Sequence, residues 1–201
     1  MPKSFSDAER AYIKKRLMEE AKNCLSQFGM RKTSVDELVR RVNIPKGTYY
    51  LFYASKELLF FDVICELHDD LHKDVLRRLE GLRGNINADT VTELLFEFYR
   101  QVDSTFLYSF ATSGEYELLV RKLPTEVVEA HTQKDDFSME QLISIVPGIQ
   151  SEGKTKVFSA ALRAIFTMMS HRREIGEDVF YDAVRVMLHG IVRQLFEGET
   201  V

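Results

Sequence analysis

The stretch Ser34-Val35-Asp36-Glu37-Leu38-Val39-Arg40-Arg41-Val42-Asn43-Ile44-Pro45-Lys46-Gly47-Thr48-Tyr49-Tyr50-Leu51-Phe52 reads as two short helices joined by a tight turn. Ser34 is placed to cap the first, with Glu37 three residues on, and Leu38, Val39 and Val42 fall on its inward side. Asn43 tolerates the left-handed geometry of a turn. Pro45, which has no N–H to lose at a helix start, opens the second helix, expected over Lys46 to Phe52.

Outward from this pair, Ser6-Asp7-Ala8-Glu9 starts a long amphipathic helix with Ile13, Leu17, Ala21, Leu25 and Phe28 on one face, and Gly29 stops it. On the other side Ser55 caps a fourth helix from about Lys56 to Leu79, with Leu59, Val63, Leu67, Leu71 and Val75 in an i,i+4 row. Further helices are expected near 89–112, 115–121, 125–133, 137–146, 154–174 and 177–197, separated by Gly114, Pro124, Pro147-Gly148, Gly153 and Gly176. No sustained alternation of apolar and polar residues argues for strands, so the expected fold is all-α. Residues 1–55 form its head and residues 56–201 a helical body.

Two short helices between two longer ones form a helix-turn-helix, whose second member can enter a DNA major groove. Lys46, Thr48, Tyr49 and Tyr50 are expected at its surface, with Leu51, Phe52 and Tyr53 anchoring it. Charge agrees with this reading. The chain of 201 residues carries a net charge of -4, yet residues 1–60 hold 12 Lys/Arg against 7 Asp/Glu while residues 61–201 hold 15 against 24. A basic head on an acidic body suits local contact with a polyanion.

Other classes are disfavoured. With 45% hydrophobic residues, only two cysteines and no run of roughly 18 apolar residues, the chain is neither disordered, nor a disulfide scaffold, nor membrane-spanning. Residues 1–7 lack the apolar stretch of a signal peptide, and a cytoplasmic location is expected. No Ser/His/Asp or Cys/His arrangement, phosphate-cradling glycine loop or paired-carboxylate motif suggests an enzyme, and no cofactor is expected. Cys65, His68 and His72, at i, i+3 and i+7, share a helix face and resemble part of a metal site, although histidines on such helices are more often boundary residues.

Thr33-Ser34-Val35-Asp36-Glu37-Leu38 and the run from Lys46 through Tyr53-Ala54-Ser55-Lys56-Glu57-Leu58-Leu59 resemble the tetracycline-repressor (TetR) family of bacterial transcriptional regulators. The resemblance covers roughly residues 10–60, and includes Phe28-Gly29. Asn43, Pro45, Leu51 and Val39 depart from the residues usual in the family at their positions. It implies DNA contacts by Thr33, Ser34, Pro45, Lys46, Gly47, Thr48, Tyr49, Tyr50 and Lys56. Of these, Lys46, Tyr50, Lys56 and Thr33 or Ser34 would meet phosphates, and Thr48 and Tyr49 would face base edges. It further implies a homodimer that represses transcription from a palindromic operator and releases it on binding a small-molecule effector.

The aromatic-rich segment 96–118 offers effector candidates Phe96, Tyr99, Phe106, Tyr108, Phe110 and Tyr116. The last two long helices are apolar over more than one face. Ala161, Ala164, Ile165, Met168, Val184, Met187, Leu188, Ile191 and Leu195 are therefore expected in an isologous four-helix dimer interface. The alternative is a helical ligand-binding or adaptor protein whose head no longer binds DNA.

Overall fold

The computed structural model describes residues 5–82, 84–147, 149 and 155–197, without the side chains of Ala111 and Phe137. The helix breaks expected at Gly148 and Gly153 lie outside the described residues, as does the start of the chain. Among the described residues the fold is all-α, with no strand.

The helices run α1 (Asp7–Lys32), α2 (Val35–Val42), α3 (Lys46–Tyr49), α4 (Lys56–Gly81), α5 (Ala88–Asp103), α6 (Phe106–Thr112), α7 (Glu115–Lys122), α8 (Thr125–Ser144), α9 (Thr155–Met168), α10 (Arg172–Ile175) and α11 (Phe180–Glu197), with a 3-10 turn at Met169–His171. They form two compact units. One comprises Met1–Leu67 with Gly114–Leu123, the other His68–Ser113 with Pro124–Val201. The division falls inside α4 rather than at residue 55, and α7, from the middle of the chain, belongs with the N-terminal helices.

Local chemistry explains most boundaries. Ser6 and Glu9 make the reciprocal capping box at α1, and the Ser34 hydroxyl accepts from the Glu37 N–H at α2. Asn43 ends α2 in the left-handed region, at φ 59°. Gly29 stands at φ 76° and ψ 174°, a kink only glycine adopts readily, after which one more turn completes α1. The helix expected over 89–112 is two, because the Ser104 and Thr105 hydroxyls donate to the Gln101 and Val102 carbonyls and close α5. Conversely, the polar residues Lys134-Asp135-Asp136, which fell between two expected helices, lie within the single α8. It contains neither Gly nor Pro to break it.

The second unit packs Leu79, Val91, Val146 and Val192 into an apolar cluster flanked by Leu94, Leu95, Leu142 and Phe196. No helix of the described residues is long and apolar enough to cross a membrane.

Candidate nucleic-acid interface

In the first unit, the Gly29 kink takes two backbone N–H groups out of the helical ladder and they find a side chain. The Met30 and Arg31 N–H groups donate to the buried Glu115 carboxylate at 2.7 and 3.0 Å. A Cβ at Gly29 would stand 2.7 Å from Glu115 Oε2. On the acceptor side, Lys56 Nζ donates to the Met30 and Thr33 carbonyls at 2.9 and 2.7 Å, and the Thr33 hydroxyl to the Gly29 carbonyl at 2.8 Å. Burial pulls Lys56 below the usual lysine range. Two residues expected at phosphates, Thr33 and Lys56, are thus engaged in holding the end of α1.

The second helix of the motif also differs from expectation. Tyr49 is 0% exposed, and its hydroxyl donates to the Ser55 carbonyl at 3.0 Å. Thr48 is buried as well. Neither lies on the surface where it was expected, because the four-residue α3 turns the face that carries them inward. Leu51, expected as an anchor, is 58% exposed, and Tyr50 is 51% exposed, whereas Tyr53 is buried and donates to Asp62 at 2.9 Å. Phe52 is half-buried beneath the Arg10 guanidinium.

What remains on the surface is spread over the motif: Ser34 at the cap of α2, Asp36 and Arg40 on it, then Asn43, Pro45, Lys46, Gly47, Tyr50 and Leu51. Lys46 Nζ lies 2.9 Å from Asp36, which raises its pKa above the usual lysine value. Arg40 pairs with Glu37 at 2.7 Å. Both cations are thus exposed and held near carboxylates, from which a phosphate would have to draw them.

This head has its counterpart among known proteins. The family model "Bacterial regulatory proteins, tetR family" matches residues 17–63, which run from the second half of α1 through α2 and α3 into α4. Over these residues the chain is similar to the tetR family.

Curated proteins similar to this chain include two HTH-type transcriptional regulators of Bacillus subtilis. YhgD is 31% identical over 33% of this chain and 35% of its own, and YdgC is 32% identical over 40% of each. The negative transcriptional regulator of the biofilm operon icaADBC, IcaR of Staphylococcus aureus, is 22% identical over 47% of this chain and 50% of its own. The chain thus spans between a third and a half of the length of these relatives. Among solved structures, the tetR-family repressor FadR of Thermus thermophilus, in complex with lauroyl-CoA, aligns with a TM-score of 0.61 at 17% identity, over 94% of this chain and 95% of that one. RolR in complex with resorcinol aligns at 0.60 and 16%, over 93% and 96%. At these identities the likeness is one of fold, and it extends through the body.

In the second unit, the aromatic effector candidates have separate surroundings among the described residues. Phe96, Tyr99 and Phe110 are buried, and the Tyr99 hydroxyl donates to the Leu162 carbonyl at 2.6 Å. Phe96 meets Tyr181 edge to face, and Tyr108 faces the Arg172 guanidinium, which also contacts Asp103. Phe106 is half-buried, and Tyr116 lies on α7 in the other unit. One apolar cavity of the unit is lined instead largely by aliphatic residues, including Val75, Leu79, Val91, Leu95, Leu162 and Ile191. Its volume of about 40 Å³ holds a water or two rather than a ligand, whose pockets measure roughly 300–1,000 Å³.

The expected dimer residues also divide. Ile165, Val184, Leu188 and Leu195 are buried within the protomer, with Leu188 at 0% exposure, so they belong to its own core. Ala161, Met168, Met187 and Ile191 are half-buried, and Ala164 is exposed. The apolar residues left outward on α9 and α11 are Val157, Ala160, Ala164 and Val186, the last 73% exposed, with Gly190 beside open space.

The histidines form a cluster that the sequence only half indicated. His68 on α4 meets His131 and Asp135 on α8, with donor atoms all within 4.8 Å of one another, and Cys65 is not among them. The His68 and His72 rings lie 4.2 Å apart. Burial pushes both imidazoles down to about 4, and it pushes the Asp135 carboxyl up, against the pull of His131. Asp135 was missed because it falls in the gap expected between helices 125–133 and 137–146, which hid its relation to His131 in the first of them. As one helix, α8 sets them at i,i+4 on a common face.

Proposed function

We propose that this chain is a DNA-binding transcriptional regulator, a repressor that binds a palindromic operator as a homodimer and is released by a small-molecule effector. The observation that carries the reading is the exposed group Ser34, Pro45, Lys46, Gly47, Tyr50 and Leu51 at the helix-turn-helix. Lys46 and the Tyr50 hydroxyl meet phosphates, the outward Leu51 offers apolar contact to a thymine methyl, and the buried Tyr49 fixes the helix that presents them. Repression is supported by IcaR and FadR, both named as negative regulators. Effector control is supported by the lauroyl-CoA and resorcinol bound in FadR and RolR. The dimer uses Val157, Ala164, Val186 and Gly190, whose small or branched side chains leave a close-packing face on α9 and α11. Two-fold pairing then sets the heads on successive major-groove faces about 34 Å apart.

The test is an electrophoretic shift with the DNA upstream of the protein's own gene. Lys46→Ala should weaken binding and reduce the slope of log K against log salt by about 0.9. Asp36→Asn, which frees Lys46, should strengthen it. Val186→Glu should dissociate the dimer and abolish tight operator binding while leaving helicity intact. Sequence-independent weak binding by the wild type, with no response to these changes, would favour a ligand-binding or adaptor protein instead. Mass spectrometry of the purified protein should reveal a retained effector. By linkage, operator DNA and effector weaken each other's affinity by the same factor.

A further inference from the structure

We propose that His68, His131 and Asp135 form a binding site for a divalent transition-metal ion of the zinc class, with the remaining coordination position taken by His72 or water. The site goes beyond the regulatory reading and does not depend on it. It lies wholly within the second unit, between the C-terminal half of α4 and the middle of α8.

Each helix contributes an i,i+4 pair, His68 with His72 and His131 with Asp135, so that two side chains of each project from one face, one turn apart. Imidazole nitrogen and carboxylate oxygen are the donors that zinc, cobalt and nickel accept, and a mixed set of this kind is unsuited to magnesium or calcium. The spacing is the second argument. His68 Nδ1 stands 3.4 Å from Asp135 Oδ1, and His131 Nε2 stands 3.8 Å from Asp135 Oδ2. These separations exceed a good hydrogen bond. They run to the two different oxygens of one carboxylate and lie at or somewhat above the roughly 3.4 Å between neighbouring ligands that a tetrahedral ion imposes with bonds of about 2.0–2.1 Å; one donor atom from each of the three residues lies within 4.8 Å of the others. The donors are therefore nearly at ligating separation with no ion between them.

The surroundings favour a cation. Lys134, beside Asp135 in the sequence, pairs with Asp69 at 2.6 Å, and Arg163 pairs with Asp136 at 3.0 Å. Each flanking cation is thus paired closely with another carboxylate, although Arg163 still acts on Asp135 and Lys134 on His68 through space. The side chains of His68, His131 and Asp135 are 27%, 18% and 12% exposed, enough for an ion to enter and too little for the donors to be fully hydrated.

Cobalt(II) is the probe, titrated into the full-length chain after treatment with a chelator. One equivalent should bind with the intense visible absorption of low-coordinate cobalt, and zinc should displace it. His68→Gln, His131→Gln and the near-isosteric Asp135→Asn should each weaken binding tenfold or more. His189→Gln, which removes a more exposed histidine paired with Asp89 at 3.3 Å, should leave it unchanged. Independently of any variant, zinc should shift the imidazole nitrogen resonances of His68 and His131 in the wild type and leave those of His171 and His189 in place. Absence of the cobalt spectrum, full affinity in Asp135→Asn, or zinc shifts confined to His171 and His189 would each overturn the assignment. Operator binding is not read in any of these measurements, so their failure and the failure of the regulatory reading are separate outcomes.

Discussion

Glu115 and Asp135 are both largely withdrawn from water, and the two units of the protein use them differently. Glu115 has an oxygen on each of two backbone N–H groups, at 2.7 and 3.0 Å. Asp135 faces two imidazoles at 3.4 and 3.8 Å, too far for either to hold it closely. A carboxylate saturated by amides is part of the scaffold, since its charge is stabilised by dipoles fixed in the fold. One surrounded by donors just out of reach contributes little to the fold, and its geometry suits an added ion. Proximity of polar groups alone would not have separated the two cases; the distances do.

The largest effect should come from removing the saturated carboxylate. Glu115→Ala leaves two N–H groups without their acceptor. At roughly 1.5–3 kcal/mol for each hydrogen bond to a charged group, it should cost about 3–5 kcal/mol in urea unfolding, and it should weaken operator binding through the loosened end of α1. A loss below about 1 kcal/mol would place Glu115 alongside Asp135. Next comes its partner at the kink. Gly29→Ala meets both a backbone region reserved for glycine and the 2.7 Å approach to Glu115, and should cost about 2–3 kcal/mol. The double variant with Glu115→Ala should cost less than the sum of the two, because the steric part disappears.

A third expectation concerns pH. His68 and His72 hold their protons less tightly in the folded protein, at about 4, than in the unfolded chain near 6.5. Between those values the unfolded state binds more protons, so the metal-free protein is at full stability above pH 6.5 and loses stability as the pH falls toward 4. Allowing for partial exposure, the loss should be about 2 kcal/mol, followed by thermal unfolding across that range. His68→Gln/His72→Gln should flatten the profile. Smallest of all, Asp135→Asn should change the stability of the metal-free protein at pH 7 by no more than about 1 kcal/mol, in either direction, because burial opposes the charge it removes.

Much of the head was legible in the sequence because its signals are local. A serine with glutamate three residues on marks the starts of α1 and α2, and Asn43 and Gly29 sit where a left-handed or otherwise non-helical backbone is needed. The site was less legible. Tyr49 and Tyr50 are adjacent and chemically identical, and in a helix of four residues no periodicity tells which one faces inward. Only packing puts Tyr49 in the core and leaves Tyr50 outside. The same ambiguity affected α9 and α11, where an apolar surface on several sides was readable but the division between protomer core and outward face was not. Glu115 gave no signal, since its role depends on a kink 86 residues earlier in the chain.

That separation bears on how the chain matures during synthesis. The N-terminal helices emerge first, but the unit they belong to also includes Gly114–Leu123, so residues 68–113 of the other unit must be made before it can close. A nascent chain that has just released α3 lacks the acid that ties down the end of α1. Domains commonly fold in the order in which they are translated. Here the head cannot finish before the body is well under way, and a chimaera that grafts residues 1–67 onto another body would have to supply its own acceptor for the Met30 and Arg31 amides.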